Sequence, residues 1–359
     1  MLKYALIGCG RIAKNHINAA LAQSDLEINA VCDVVPERMD AILTLMPEEI
    51  RNGVRKYENY QELLDNEHPE LCAIATDSGV HAEIGMHCIS SGSHCILEKP
   101  MAMSLRDADA LIAAAKEHNR ILSVCHQNRY NKSVQKIRKA LDDGRFGKLS
   151  HIAAHVRWNR DEDYYKQASW RGTWANDGGC LMSQCIHNAD LMIWFLGDIE
   201  EVFAYTQNMQ HPYIKAEDLG MALVKAKGGA LGLFEGTVNV FPKNLEETLY
   251  LFGENGTVKA AGTSVNLIEE WNFADPLDNS EAVKKEYREM PPNVYGFGHT
   301  PLYKDVINAI KTGSKPLIDG KEGKRALELV FAMYKSKKTG LPVRLPLGDF
   351  ATTDMEGTF

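Results

Sequence analysis

The stretch Leu2-Lys3-Tyr4-Ala5-Leu6-Ile7-Gly8-Cys9-Gly10-Arg11-Ile12-Ala13 carries a short apolar run straight into the pattern G-x-G-x-x-A. A run of strand length that breaks into this turn and continues into a helix-like segment begins a strand-turn-helix unit. The first glycine permits the tight turn, and the second lets backbone approach a pyrophosphate. The small third residue lets the helix pack on the strand. A second apolar run, 28–32, ends at Asp33, where an acid accepts hydrogen bonds from both ribose hydroxyls of NAD and repels the 2′-phosphate of NADP. Arg38 is read as a helix-surface residue.

Further apolar runs at 71–76, 94–97 and 121–125 are separated by helix-like segments, the pattern of a doubly wound parallel sheet. One helix is expected to start after Ser104, with Asp107 three residues on as in a capping box. After about residue 126 the texture changes. A helix is expected at 133–141, strands near 149–152, 200–206, 220–225, 230–237 and 248–252, and closing helices at 301–312 and 321–338. Strands joined by tight turns predict a largely antiparallel sheet. The fold class is therefore α/β: an N-terminal Rossmann doubly wound parallel sheet, plus a C-terminal α+β domain with a large open, mainly antiparallel sheet. The expected division is 1–125, 126–353 and a tail, 354–359. Strands apolar on both faces, such as Met221-Ala222-Leu223-Val224, need a second cover, and self-association into a homo-oligomer is the simplest one.

Composition excludes several classes. At 359 residues the chain exceeds one ordinary core, and 45% hydrophobic with 25% charged residues is typical of a soluble globular protein. A formal net charge of -8 offers no basic field, so nucleic acid is not an expected partner. The longest apolar runs are far short of a membrane span, and no leader-like segment stands at the N-terminus, so a cytoplasmic location is expected. The eight cysteines include no Cys-x-x-Cys, and several lie in strand-like runs; they read as reduced core residues, with no metal site expected.

The G-x-G-x-x-A turn, Glu98-Lys99-Pro100, and Gly178-Gly179 followed by His187 and Asp190 resemble the glucose-fructose oxidoreductase, inositol dehydrogenase and MocA family. The resemblance covers almost the whole chain, with 354–359 unplaced. It implies a nucleotide domain, an open sheet that mediates dimers or tetramers, Lys99 at the nicotinamide and a cis Lys99–Pro100 bond. Three further stretches, residues 158–174 (WNRDEDYYKQASWRGTW), 241–246 (FPKNLE) and 294–299 (VYGFGH), are similar to one branch, the bacterial UDP-N-acetylglucosaminuronate 3-dehydrogenases. Those enzymes oxidise a sugar 3″-hydroxyl in the synthesis of cell-surface polysaccharides.

Oxidising a secondary alcohol with NAD sends a hydride to the nicotinamide and a proton to a base. Lys99 is credible in that role if burial and the cationic ring lower its proton affinity. Glu98 is expected to orient Lys99 or to contact the cofactor. His187 is the second catalytic candidate, sharing a helix face with Ser183 and Gln184. Many family members carry aspartate where Ser183 stands, which leaves open how Lys99 and His187 divide the work. Cofactor contacts are expected from Gly8, Gly10, Arg11, Ile12, Asp33, Thr76, Ser78, His81, Glu98, Lys99, Asn128, Trp170 and Arg171. A sugar nucleotide needs cations for its phosphates and carboxylate, which nominates Arg129, Arg160 and Arg171. Asn131, Tyr164, Tyr165, Gln184, Tyr295 and His299 complete the substrate candidates, and Asp161-Glu162-Asp163 reads as a solvated loop. Inositol or aldose oxidation is the alternative with the same chemistry. A non-catalytic dinucleotide or sugar binder is disfavoured by the presence of both Lys99 and His187.

Overall fold

The computed structural model describes residues 1–291 and 293–359 and divides into two units, 1–125 with 299–324, and 126–298 with 325–359. The first unit contains β1 (Leu2–Ile7), β2 (Leu26–Cys32), β3 (Arg55–Tyr57), β4 (Leu71–Ile74), β5 (His94–Leu97) and β6 (Leu122–Val124). They form one sheet in the order β3-β2-β1-β4-β5-β6, every pairing parallel. The order reverses between β1 and β4, and ligands of such sheets bind beyond the carboxyl ends of the strands at that reversal. β1, β4 and β5 are buried along almost their whole length, which is why they read as continuous apolar runs. The helix Leu105–Glu117 starts as expected: Ser104 Oγ accepts the Asp107 amide at 3.0 Å and donates to its carboxylate at 2.7 Å.

The first unit also takes in 299–324, which the expected division placed in the second. The helix His299–Thr312 belongs to the first unit, where Tyr303 hydrogen-bonds Tyr4 of β1 at 2.9 Å, and Ser123 of β6 donates to the Ile318 carbonyl at 2.7 Å. β3 was absent from the sequence reading because it is three residues long and polar.

The second unit holds β7 (Leu149–Arg157), β8 (Ile199–Gln207), β9 (Leu219–Ala226), β10 (Leu231–Thr237), β11 (Glu246–Gly253), β12 (Gly256–Ala261), β13 (Leu267–Phe273) and β14 (Val343–Arg344). Their order is β13-β12-β11-β7-β10-β9-β8-β14, antiparallel throughout except for the parallel β7–β10 pair. Alternation sorts the sheet's two faces. In β9, Ala222 and Val224 are buried while Met221 and Leu223 are exposed; Tyr205, Leu231 and Leu233 on the neighbouring strands are exposed as well. The tail is part of this unit rather than a separate segment: Met355 is buried and the Phe359 ring stacks on Trp174 with centroids 6.1 Å apart.

Candidate active site

In the first unit the G-x-G-x-x-A turn follows β1 as expected. Gly8 has φ +96°, and a Cβ there would lie 2.5 Å from the Ala75 backbone, so only glycine lets the loops after β1 and β4 meet. Around Gly10, by contrast, nothing lies within 4 Å of where a Cβ would stand, the opening a pyrophosphate needs. Ile12 forms the N-cap of the helix Ala13–Leu21, and Arg11 is exposed beside it. Asp33 ends β2 with its carboxylate accepting the amides of Cys9 at 2.8 Å and Val35 at 2.9 Å. That fixes the acid beside the glycine turn. Arg38 reaches it only at 3.7 Å from a half-exposed position. Thr76 and Ser78 follow β4. His81 is buried and is engaged with backbone, Nδ1 with the Pro100 carbonyl at 2.8 Å and Nε2 near that of Thr76 at 3.2 Å, so its ring ties two loops together rather than facing a cofactor.

Lys99 follows β5, half-buried, with a cis bond to Pro100. Of the two roles expected for Glu98, orienting Lys99 or contacting the cofactor, its partners in the protein favour the first. Its carboxylate is buried: Oε1 lies 3.0 Å from His16 Nε2 and 3.6 Å from His299 Nε2, and Oε2 accepts the Lys99 amide at 3.2 Å. Burial opposes the charged form, but the two imidazoles outweigh it and hold the Glu98 carboxyl well below the ordinary range. Burial also pushes His299 down, Glu98 only partly offsetting it. His299 therefore sits against Glu98 rather than with the substrate candidates. His16 escaped the sequence reading, although Ala13, His16, Ile17 and Ala20 mark the buried stripe of its helix.

The second unit brings five expected residues together. Arg160 Nε donates to Gln184 Oε1 at 2.9 Å, and Gln184 Nε2 donates to the Tyr164 hydroxyl at 3.0 Å. Arg171 donates to the same hydroxyl, and its guanidinium lies 4.2 Å from the Tyr164 ring centroid and 4.8 Å from that of Trp170. Arg160 stacks over Trp158 at 4.9 Å and over Tyr164 at 5.1 Å. Among the described residues neither Arg160 nor Arg171 has a carboxylate partner, whereas Arg145 and Arg157 each bridge two.

Other expected residues lie elsewhere. Arg129 is fully buried, its guanidinium forked onto Asp190 at 2.8 and 2.6 Å and stacked on Trp194; an internal partner takes the fork that a substrate anion was expected to use. Asn131 is buried with its amide on the Ser264 carbonyl at 2.7 Å, and Gly296 packs beside it. Asn128 donates to Glu247 at 3.0 Å. Tyr165 is buried against His211 and Tyr213, so it supports Tyr164 from behind. Tyr295 is half-buried with its amide on Asn293 Oδ1 at 3.0 Å.

His187 is buried on the helix Ile186–Leu196, its ring edge-on to His126 with centroids 6.0 Å apart. Next to it Asn188 donates to the carbonyls of His155 at 3.1 Å and Thr248 at 3.2 Å, which bolts that helix to β7 and β11. The expected single helix through Ser183 and His187 is broken: Gly179–Ser183 is one short helix, and the chain restarts at Ile186. Ser183 Oγ donates back to the Gly179 carbonyl at 2.8 Å, a local bond and not the carboxylate partner a histidine would use. Gly179 itself has φ +85°, and a Cβ there would fall 1.6 Å from Glu217 Oε2.

Residues 2–126 match the oxidoreductase family with an NAD-binding Rossmann fold, and residues 134–259 match the GFO/IDH/MocA C-terminal domain. The chain belongs to the GFO/IDH/MocA oxidoreductase family. It is similar to the WlbA dehydrogenase from Bordetella pertussis, solved with NADH and UDP-GlcNAcA, at 36% identity and a TM-score of 0.89, over 97% of this chain and 98% of that one. The WlbA counterpart from Chromobacterium violaceum, solved with the same ligands, is also 36% identical, with a TM-score of 0.87 over 97% and 96%. Myo-inositol 2-dehydrogenase from Thermotoga maritima is 25% identical over 96% of this chain and 98% of its own length. This GFO/IDH/MocA chain is an NAD-dependent sugar oxidoreductase. The glycine turn, the open face at Gly10 and the fixed Asp33 carboxylate fit NAD, and no helix is long and apolar enough to cross a membrane among the described residues.

Proposed function

We propose that this enzyme oxidises the 3″-hydroxyl of UDP-N-acetylglucosaminuronate. The observation that carries the reading is the pair Arg160 and Arg171, gathered around Tyr164 with no carboxylate partner among the described residues. Two guanidiniums in one cluster repel each other and favour an anionic ligand, and a diphosphate with a uronate carboxylate supplies it. The solved relatives that carry UDP-GlcNAcA support the same substrate.

NAD, when bound, accepts the hydride. Lys99 receives the hydroxyl proton, and His187 is kept as the second candidate for proton transfer. Tyr164 and Gln184 orient the two guanidiniums toward the nucleotide. The exposed apolar face of β8, β9 and β10 is read as the contact with a second copy of this chain, in the cytoplasm. The test is direct: purified protein with NAD should generate NADH absorbance with UDP-N-acetylglucosaminuronate. Turnover of myo-inositol or a free aldose in its place, as the Thermotoga relative's name suggests, refutes the assignment.

A further inference from the structure

Beneath Lys99 lies a chain of buried polar groups that the reaction as described leaves unused. The Tyr4 and Tyr303 hydroxyls are 2.9 Å apart, Tyr303 lies 2.7 Å from His16 Nδ1, and His16 Nε2 lies 3.0 Å from Glu98 Oε1. A carboxylate can only accept, so His16 donates to Glu98 from Nε2. The other Glu98 oxygen takes the Lys99 amide. His16, Glu98 and His299 come from different parts of the sequence, and all are buried.

We propose that His16 and His299 are positioning residues that hold Glu98 as a permanent buried carboxylate beside Lys99, and that this fixed negative charge sets the proton affinity of the Lys99 amine. Burial and a cationic nicotinamide both lower a lysine's proton affinity, and an adjacent carboxylate opposes them. Without that opposition Lys99 would be too weak a base to take the substrate proton. The other titratable groups facing Glu98 do not supply the charge. Burial raises the Cys125 thiol, in hydrogen-bond contact with Glu98, well above its ordinary value, and raises Tyr303 similarly. Tyr4 is likewise pushed up by burial, and His81, on which the Glu98 charge also acts, is pushed down by it. The Lys99 charge in turn acts on His299 and Cys125, which places the amine within electrostatic reach of the cluster.

The inference rests on Lys99 being the base, so it is tested by a readout that needs no sugar. Carbon-13 reductive methylation reports the titration of the Lys99 amine by NMR, with Lys99→Arg identifying its signal. Glu98→Gln, which keeps the side chain's shape, should lower the Lys99 midpoint by about one unit or more. His16→Gln and His299→Gln should move it the same way, because an uncompensated buried Glu98 takes up a proton. NADH binding by fluorescence verifies that each variant is folded, and His299→Gln serves if Glu98→Gln is not. With substrate, the acid limb of kcat/KM should move down by the same amount and the plateau kcat should fall. A lowered midpoint with no turnover of any UDP-sugar supports this inference and sinks the substrate reading. An unmoved midpoint in a folded variant overturns it. So does one zinc per chain in the purified protein, since one ligand atom from each of His16, Glu98, Cys125 and His299 lies within 4.8 Å of the others.

Discussion

The Tyr334 hydroxyl lies 2.9 Å from Glu217 Oε1 while also donating to the Gly178 carbonyl. A hydroxyl has one proton, so a protonated Glu217 is what completes both bonds. Burial agrees: against the opposing Leu181 amide it pushes the Glu217 carboxyl up to about 8. Because the folded state binds this proton more tightly than the unfolded chain, its stabilising effect is complete below the ordinary carboxylate range and is lost as pH rises through about 8. Glu217→Gln should therefore flatten the decline of melting temperature between about pH 5 and 8, leaving the variant more stable than the parent at alkaline pH. Thermal melts across that range decide it; a parallel decline in both proteins refutes the assignment.

Lys99→Ala should lower kcat by about a hundredfold to ten-thousandfold, the usual worth of a positioned base, with NADH affinity unchanged. His187→Asn should lower kcat by a similar factor, with little change in KM. If either variant keeps near-normal kcat, that residue does not handle the proton.

Arg160→Met and Arg171→Met should each raise KM for the UDP-sugar about tenfold or more, since a charge-assisted hydrogen bond to phosphate is lost. Neither should change the affinity for a neutral polyol. Steady-state kinetics at two ionic strengths would show the parent's KM rising with salt and the variants' KM less responsive.

Leu223 and Leu233 stand directly opposite each other on β9 and β10, both exposed. Leu223→Glu with Leu233→Glu places like charges on the proposed contact face and should yield a monomer by light scattering. An unchanged mass for the double variant would mean that this face is not the contact.

What the sequence made legible was set by near neighbours. Gly8, Gly10 and Ala13 are read from a turn, Asp33 from its place after a strand, and Ser104 from a cap that needs only Asp107. The outlines of β8 to β11 follow from alternation. What stayed hidden depends on partners far along the chain. Arg129 was nominated for a ligand because nothing local announces Asp190, and the two histidines on Glu98 were not foreseen because they stand 82 residues before it and 201 after it. The break between Ser183 and Ile186 was missed because periodicity runs on through it.

The return of 299–324 to the first unit has a consequence for biosynthesis. A ribosome delivers β1 to β6 early, yet Tyr303 and His299, which complete the buried chain from Tyr4 to Glu98, emerge only after the whole of 126–298 has been made. The nucleotide half is begun first and finished late, so a fragment ending at Cys125 would leave the Glu98 carboxylate without one of its two histidines, and a nonsense mutation anywhere in the middle of the gene would damage the domain encoded before it.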